Sequence, residues 1–273
     1  MRKKILPIII TLLALCSTKA FATDYDLRFA GVRVTSSNAS HITGSGISGS
    51  VSYSYSTNTL TLNGVDITVS VIDKFGIKSN IPGLKIQLTG SNSISTYSSD
   101  GIYSQADMTI QGTGTLNVTA DQGNAINAEG NLTFSSCTVE ARSNRDFGIL
   151  GTSGKTLTVN GGSLTAVGGT NGYPVFGFGH LSMTGSSITY PANAHYDEFD
   201  RFLKYADGNS VFITLLNIYS IKACKALCKS ILYSCKVLSK CVIKVSKACI
   251  YSVETVTETV IYTINLSFKT AEI

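Results

Sequence analysis

Met108-Thr109-Ile110-Gln111-Gly112 and Thr115-Leu116-Asn117-Val118 read as two short strands, each placing apolar residues two apart with a polar residue between them. The first of these recurs. Leu60-Thr61-Leu62, Leu84-Lys85-Ile86, Met108-Thr109-Ile110, Leu132-Thr133-Phe134, Leu157-Thr158-Val159 and Leu181-Ser182-Met183 start at steps of 24, 24, 24, 25 and 24 residues. A fixed period of this length marks a repeat whose unit is one turn of a solenoid.

Each copy carries two further β signals. The second is an apolar-polar-apolar triplet such as Ile67-Thr68-Val69, Val139-Glu140-Ala141 or Leu164-Thr165-Ala166, reduced to Ile94-Ser95 in one copy. The third is a small residue before a β-branched one: Gly76-Ile77, Gly101-Ile102, Ala125-Ile126, Gly148-Ile149 and Pro174-Val175. Three strands per turn, separated by Gly, Asn, Ser and Asp, bend the chain into a three-sided coil with its apolar columns inside. The expected fold is therefore all-β, a parallel β-helix over about residues 60–212. Leu84, Met108, Leu132, Leu157 and Leu181 should stack in one inward column. Six coils at ~4.8 Å make a rod roughly 29 Å tall. An internal coil contributes on the order of 10 kcal/mol of gross burial, most of it offset by chain entropy.

The flanks differ from the repeats. Arg2-Lys3-Lys4, the apolar run Ile5 to Cys16 and Ala20-Phe21-Ala22 have the order of a secretory signal over residues 1–22, so the expected location is outside the cytoplasm: secreted, periplasmic or at the cell surface. Residues 23–59 read as a cap, with one hairpin about Ala30-Gly31 and another about Ser56-Thr57-Asn58. Residues 213–273 form a Lys- and Cys-rich tail. Val211-Phe212-Ile213 could add a last strand before it, and lysines from Lys222 to Lys247 recur at helical spacing, which predicts a helix near 219–249. Such a basic stripe would suit contact with an anionic membrane surface.

The charge divides accordingly. Of 22 basic residues, four lie in 1–22 and eight in 209–273, which leaves 23–208 with ten against fourteen acidic residues, a net of −4. The overall charge of +5 thus gives no support to nucleic acid as a partner. The expected state is a monomer.

The opener Asp26-Leu27, Gly31-Val32, Val34-Thr35-Ser36 and Asn38, followed by Ile42-Thr43-Gly44 and Gly49-Ser50-Val51-Ser52-Tyr53, resembles that of a family of secreted bacterial right-handed parallel β-helix proteins. Gly101-Ile102-Tyr103 and the segment Gly112 to Val118 also match that family's coils. The resemblance covers roughly residues 24–210. It implies the right-handed coil and a surface or secreted protein of a kind often labelled carbohydrate-binding, with no catalytic residues to carry over.

Residue chemistry narrows the function. Asp73, Asp100, Asp121 and Asp146 fall in the same inter-strand region of successive coils, where stacked carboxylates could share a cation such as Ca²⁺. The competing reading makes them turn residues with local hydrogen bonds, and no other cofactor is implied. No acid pair and no matched base supports a polysaccharide lyase or hydrolase, so no enzyme activity is expected. His41, His180 and His195 lack partners at ligand spacing, and Cys137 reads as a lone buried thiol. The aromatics point to a ligand. Tyr53 and Tyr55 share one face of the cap hairpin, Tyr103 should point outward beside inward Ile102, and Tyr97, Tyr173 and Phe178 lie in or beside loops. Aromatic faces together with Asn, Ser and Thr donors suit sugar rings and their hydroxyls, so the leading expectation is a polysaccharide or glycan partner. The alternative is a structural surface protein or adhesin with a protein partner.

Overall fold

The computed structural model describes residues 22–72, 74–190, 194–205 and 215–220. The cap contains β1 (Asp24–Phe29), β2 (Val32–Thr35) and β3 (Ile47–Ser54), and it leads into the long β4 (Thr59–Val69). Coils follow as β5 (Ile77–Ser79), β6 (Leu84–Thr89) and β7 (Ser91–Thr96); β8 (Ile102–Ser104), β9 (Met108–Gly112) and β10 (Thr115–Ala120); and β11 (Ile126–Ala128), β12 (Leu132–Ser135) and β13 (Thr138–Ser143). Two more are β14 (Ile149–Leu150), β15 (Thr156–Asn160) and β16 (Ser163–Val167), then β17 (Val175–Phe176), β18 (His180–Thr184) and β19 (Ser186–Tyr190). The described chain ends with β20 (Ala194–Asp197), β21 (Phe202–Tyr205) and β22 (Leu215–Ser220).

The fold is a parallel β-solenoid, and among the described residues there is no helix. One sheet runs β17-β14-β11-β8-β5 and is closed at its lower end by β1 and β2. A larger sheet contains two parallel stacks, β18-β15-β12-β9-β6-β4 and β4-β7-β10-β13-β16, joined where β4 belongs to both. Leu84, Met108, Leu132, Leu157 and Leu181 pair in register as expected. The first four are at most 2% exposed, and Leu181, in the last coil, is half-buried.

The first step differs from the spacing in the sequence. Leu60 pairs with Ile86 rather than Leu84, because β4 runs unbroken through two strand positions while it also pairs antiparallel with β3. The apolar residue missing from the weak second triplet is Asn92. It is 1% exposed, accepts the Val65 amide at 3.0 Å and donates to the Thr115 carbonyl at 3.0 Å, so its polar atoms are satisfied inside.

The small residue in the third signal has a packing cause. A Cβ on Gly101 would run into Val118 Cγ1 and lie 2.7 Å from the Ala125 carbonyl oxygen. Gly76 meets Ile94 and Gly101 in the same way. The cap hairpin turns on Ala30 and Gly31 with φ of 49° and 79°, the left-handed pair that a two-residue hairpin requires.

Loops are tied by polar ladders. Asp107 accepts the Asn131 amide at 2.8 Å and its side chain at 3.0 Å, and Asn131 in turn accepts the Thr156 amide at 2.9 Å. Cys137 is buried and donates to the Ile110 carbonyl at 3.3 Å; burial pushes its thiol up to about 11.

The upper end is not a simple last coil. β20 and β21 form a hairpin that docks through Arg201, whose carbonyl accepts the Gly177 amide at 3.0 Å, and through Tyr196, whose hydroxyl donates to the Phe178 carbonyl at 3.0 Å. Strand β22 lies antiparallel between β16 and β19. Residues 1–21 of the expected signal over 1–22, Val211-Phe212-Ile213 and the tail from residue 221 lie outside the described residues. The first two residues of the expected helix, Tyr219 and Ser220, end a strand instead.

Two substitutions test this packing. Gly101→Val should cost ~2–3 kcal/mol in urea unfolding, against less than ~0.5 kcal/mol for the outward Thr133→Ala, and equal effects would refute the close approach. The Asn131 amide, then its side chain, hold the Asp107 carboxyl below the usual carboxylate range. Its ionised form therefore adds stability above the unfolded value, and that contribution is lost as pH falls through the folded one. Thermal melts from neutral pH to about pH 3 should show a shallower acid loss for Asp107→Asn than for the parent chain. An identical acid slope would remove Asp107 from the account.

Candidate functional site

The seven-stranded sheet displays two adjacent outer columns that its register fixes. Along the strands, Lys78, Tyr103, Asn127, Leu150 and Phe176 pair in sequence, all half-buried and facing out. One place before the tight small residue of each coil stand Phe75, Asp100, Asn124, Phe147 and Tyr173. Backbone bonds align these loops, since Gly101 donates to the Asn124 carbonyl at 3.0 Å, Ala125 to Phe147 at 3.1 Å and Gly148 to Tyr173 at 3.1 Å. Together the columns form a band up one face.

The band is aromatic at both ends. Below, Phe75 and Tyr103 lie 5.3 Å apart, with Lys78 Nζ 5.0 Å and 5.3 Å from their centroids. Tyr103 donates to Glu129 Oε1 at 2.6 Å, and burial followed by this bond raises its hydroxyl above the usual tyrosine value. Above, Phe147 and Phe176 stack at 5.1 Å and 15°, Tyr173 stacks on Phe176 at 5.8 Å, and Phe202 of the end hairpin stacks on Tyr173 at 5.1 Å and 7°. Arg201 lies over Phe176 at 6.0 Å.

Between the two groups the coil carries Asn124 and Asn127 in place of rings. Asp100 Oδ1 accepts both the amide and the side chain of Asn124, at 2.8 and 2.9 Å, and Oδ2 accepts Asn127 Nδ2 at 2.9 Å. Asn124 passes the chain of bonds upward by accepting the Phe147 amide at 3.2 Å. The result is a polar floor between aromatic shoulders on coils two strand spacings apart, about 9.6 Å. A charged recess lined by Asp24, Arg28, Arg33, Lys78 and Asn80 adjoins the lower shoulder through Lys78.

Sequence reasoning found part of this band. Tyr103, Tyr173 and Asp100 belong to it; Phe75, Phe147, Phe176 and Asn124 were missed. Tyr53 does not face solvent. It is 5% exposed, packed against Tyr25 at 5.2 Å, with its hydroxyl donating to Asn58 Oδ1 at 3.0 Å. Phe178 is likewise buried. Tyr55 is 72% exposed on the cap, where it stacks on Tyr25 at 5.3 Å.

The acidic column divides. Asp73 lies outside the described residues. Asp100 is nearly buried and satisfied by amides, as a turn residue would be. Asp121 lies on the loop edge, where Gln122 Nε2 at 2.9 Å and then Asn144 Nδ2 at 3.0 Å hold its carboxyl below the usual range. Asp146 anchors its own loop, its amide donating to Ser143 Oγ at 2.7 Å and its carbonyl accepting Gly169 at 2.8 Å. Among the described residues no three His, Cys, Asp or Glu side chains converge as a metal-binding group. His180 pairs with Glu198 at 2.9 Å, and Tyr97 is 56% exposed beside the Asp121 network.

A search of curated proteins and one of solved structures returned no match. A family model described as "Carbohydrate-binding domain-containing protein" matches residues 29–175, more than half of the chain and the span that holds both aromatic columns up to Tyr173. The chain belongs to this carbohydrate-binding domain-containing family.

Proposed function

We propose that the protein is an exported, non-catalytic glycan-binding protein and that the outer band of the seven-stranded sheet is its binding face. The carrying observation is the juxtaposition of the Tyr103 and Phe147 shoulders with the Asp100, Asn124 and Asn127 floor. Sugar rings offer apolar C–H faces and hydroxyls at their rims, and the aromatic shoulders suit the former while the half-buried Asn127 amide between them suits the latter. The family match supports the ligand class. The basic start, apolar run and Ala20-Phe21-Ala22 support export, in a secreted, periplasmic or cell-surface location.

Non-catalytic action fits the carboxylates on the face. Asp100 is engaged by three amide donors and Glu129 by the Tyr103 hydroxyl, a positioning arrangement rather than the opposed pair of a glycosidase. A protein partner is favoured at another place, the loop edge, where Val71, Ile72 and Tyr97 are 54%, 68% and 56% exposed.

Calorimetric titration of the full chain with oligosaccharides selected on a glycan array tests the reading. Tyr103→Ala and Phe147→Ala should each weaken binding about tenfold, the scale of one lost aromatic contact. Tyr97→Ala should leave it unchanged, and affinity should be equal in EDTA and in excess Ca²⁺. Loss of binding in Tyr97→Ala with none in the other two would move the site to the loop edge.

A further inference from the structure

The solenoid's own period places β19 directly on β16. Leu157 and Leu181 pair in register 24 residues apart, and the same step takes Leu164 to Ile188. Yet these two strands do not pair. β22 lies between them, antiparallel to both, and its Ile218 pairs with Leu164 on one side and with Ile188 on the other. The inserted strand therefore bridges two positions that already share the coil register.

The opening has a defined start. β18 still stacks on β15, and the Gly161 amide still reaches the Thr184 carbonyl at 3.1 Å. At Gly185 the backbone turns with φ +64°, and from Ser186 onward β19 lies one strand further out. The sequence of the guest strand suits the gap. Leu216 and Ile218 hold the register positions beside inward Ala166 and Leu164, and Asn217 holds that beside outward Thr165. Ten residue steps separate Tyr205 from Leu215, a reach of up to ~35 Å.

We infer that the gap between β16 and β19 is a strand-acceptor site, whose ligand is an extended peptide run antiparallel to β16 with apolar residues at alternate positions. The chain's own residues 215–220 fill it, and a free peptide of that pattern exchanges with them. Main-chain bonds to both neighbours supply affinity, and the inward positions supply selectivity. Closing β19 directly onto β16 is the competing arrangement, with the same register and one strand fewer.

The test uses the full chain and a fluorescent peptide of residues 215–220. Ile218→Asp places a charge at the register position between Leu164 and Ile188 and should expel the resident strand, raising peptide affinity at least tenfold over the parent chain by anisotropy. A peptide carrying the same Ile218→Asp change should not bind. Amides of residues 163–167 should exchange faster in the variant and regain protection on adding the parent peptide. If the variant fails to fold, the parent chain still decides. A peptide with a photocrosslinker in place of Asn217, in large excess, should label residues 163–167. No labelling there, or a variant whose 163–167 amides stay protected without peptide, would overturn the acceptor site.

Discussion

Backbone pairing between successive coils is the interaction on which everything else in this molecule depends. No coil encloses its own apolar residues, and the strands from β5 to β19, two to six residues long, are too short to stand alone. Only when the step of 24 or 25 residues holds do Leu84, Met108, Leu132 and Leu157 stack, with Ile86 under Ile110, so hydrogen bonding and burial succeed or fail together. A slip of one residue would turn each inward set to solvent. The polar ladders of Asp107 with Asn131 and of Asp100 with Asn124 reinforce the same register in the loops, each spanning 24 residues.

The candidate site is a by-product of that constraint. Once coils are in register, whatever precedes the tight small residue of each coil forms a column on the outer face, and here the column reads aromatic, acid, amide, aromatic, aromatic. Across one coil step Phe147 meets Phe176 at 5.1 Å and Tyr173 at 6.4 Å, distances close to the strand spacing, while Tyr173 and Phe176 stack at 5.8 Å within one coil. The single coil without rings makes the polar floor. Ends obey the same logic: β1 and β3 cover the lower edge, and the β20 and β21 hairpin adds Phe202 and Arg201 to the upper shoulder while tying down Gly177.

What was legible in the residues follows from periodicity. The triplets and the small-before-branched signal repeat, so strands, inward columns and both cap hairpins were readable in advance. Asp100 sat three places away from Asp121 in its coil, and that offset was the mark of a separate column with Asn124. Phe75 and Phe147 could have been found by the same alignment, since each precedes its coil's Gly as Tyr173 precedes Pro174. Tyr53 was misplaced because it was grouped with Tyr55 on one face of the cap hairpin, whereas Tyr55 lies beyond the end of β3 and Tyr53 alternates with buried Val51 within the strand. The end hairpin and β22 repeat nothing earlier in the chain, so no period announced them, and the antiparallel insertion contradicts the parallel order that the repeats imply.

Deleting one whole coil against half of one probes the stacking directly. Removing residues 108–131 takes out 24 residues and lets β12 pair with β6 in the register that β9 now uses, with Leu132 over Leu84. Removing residues 108–119 breaks that register. Hydrogen exchange and cooperative thermal unfolding of the two chains should show a folded, somewhat less stable protein in the first case and loss of the protected core in the second. Equal damage in both, or a folded half-coil deletion, would contradict the account.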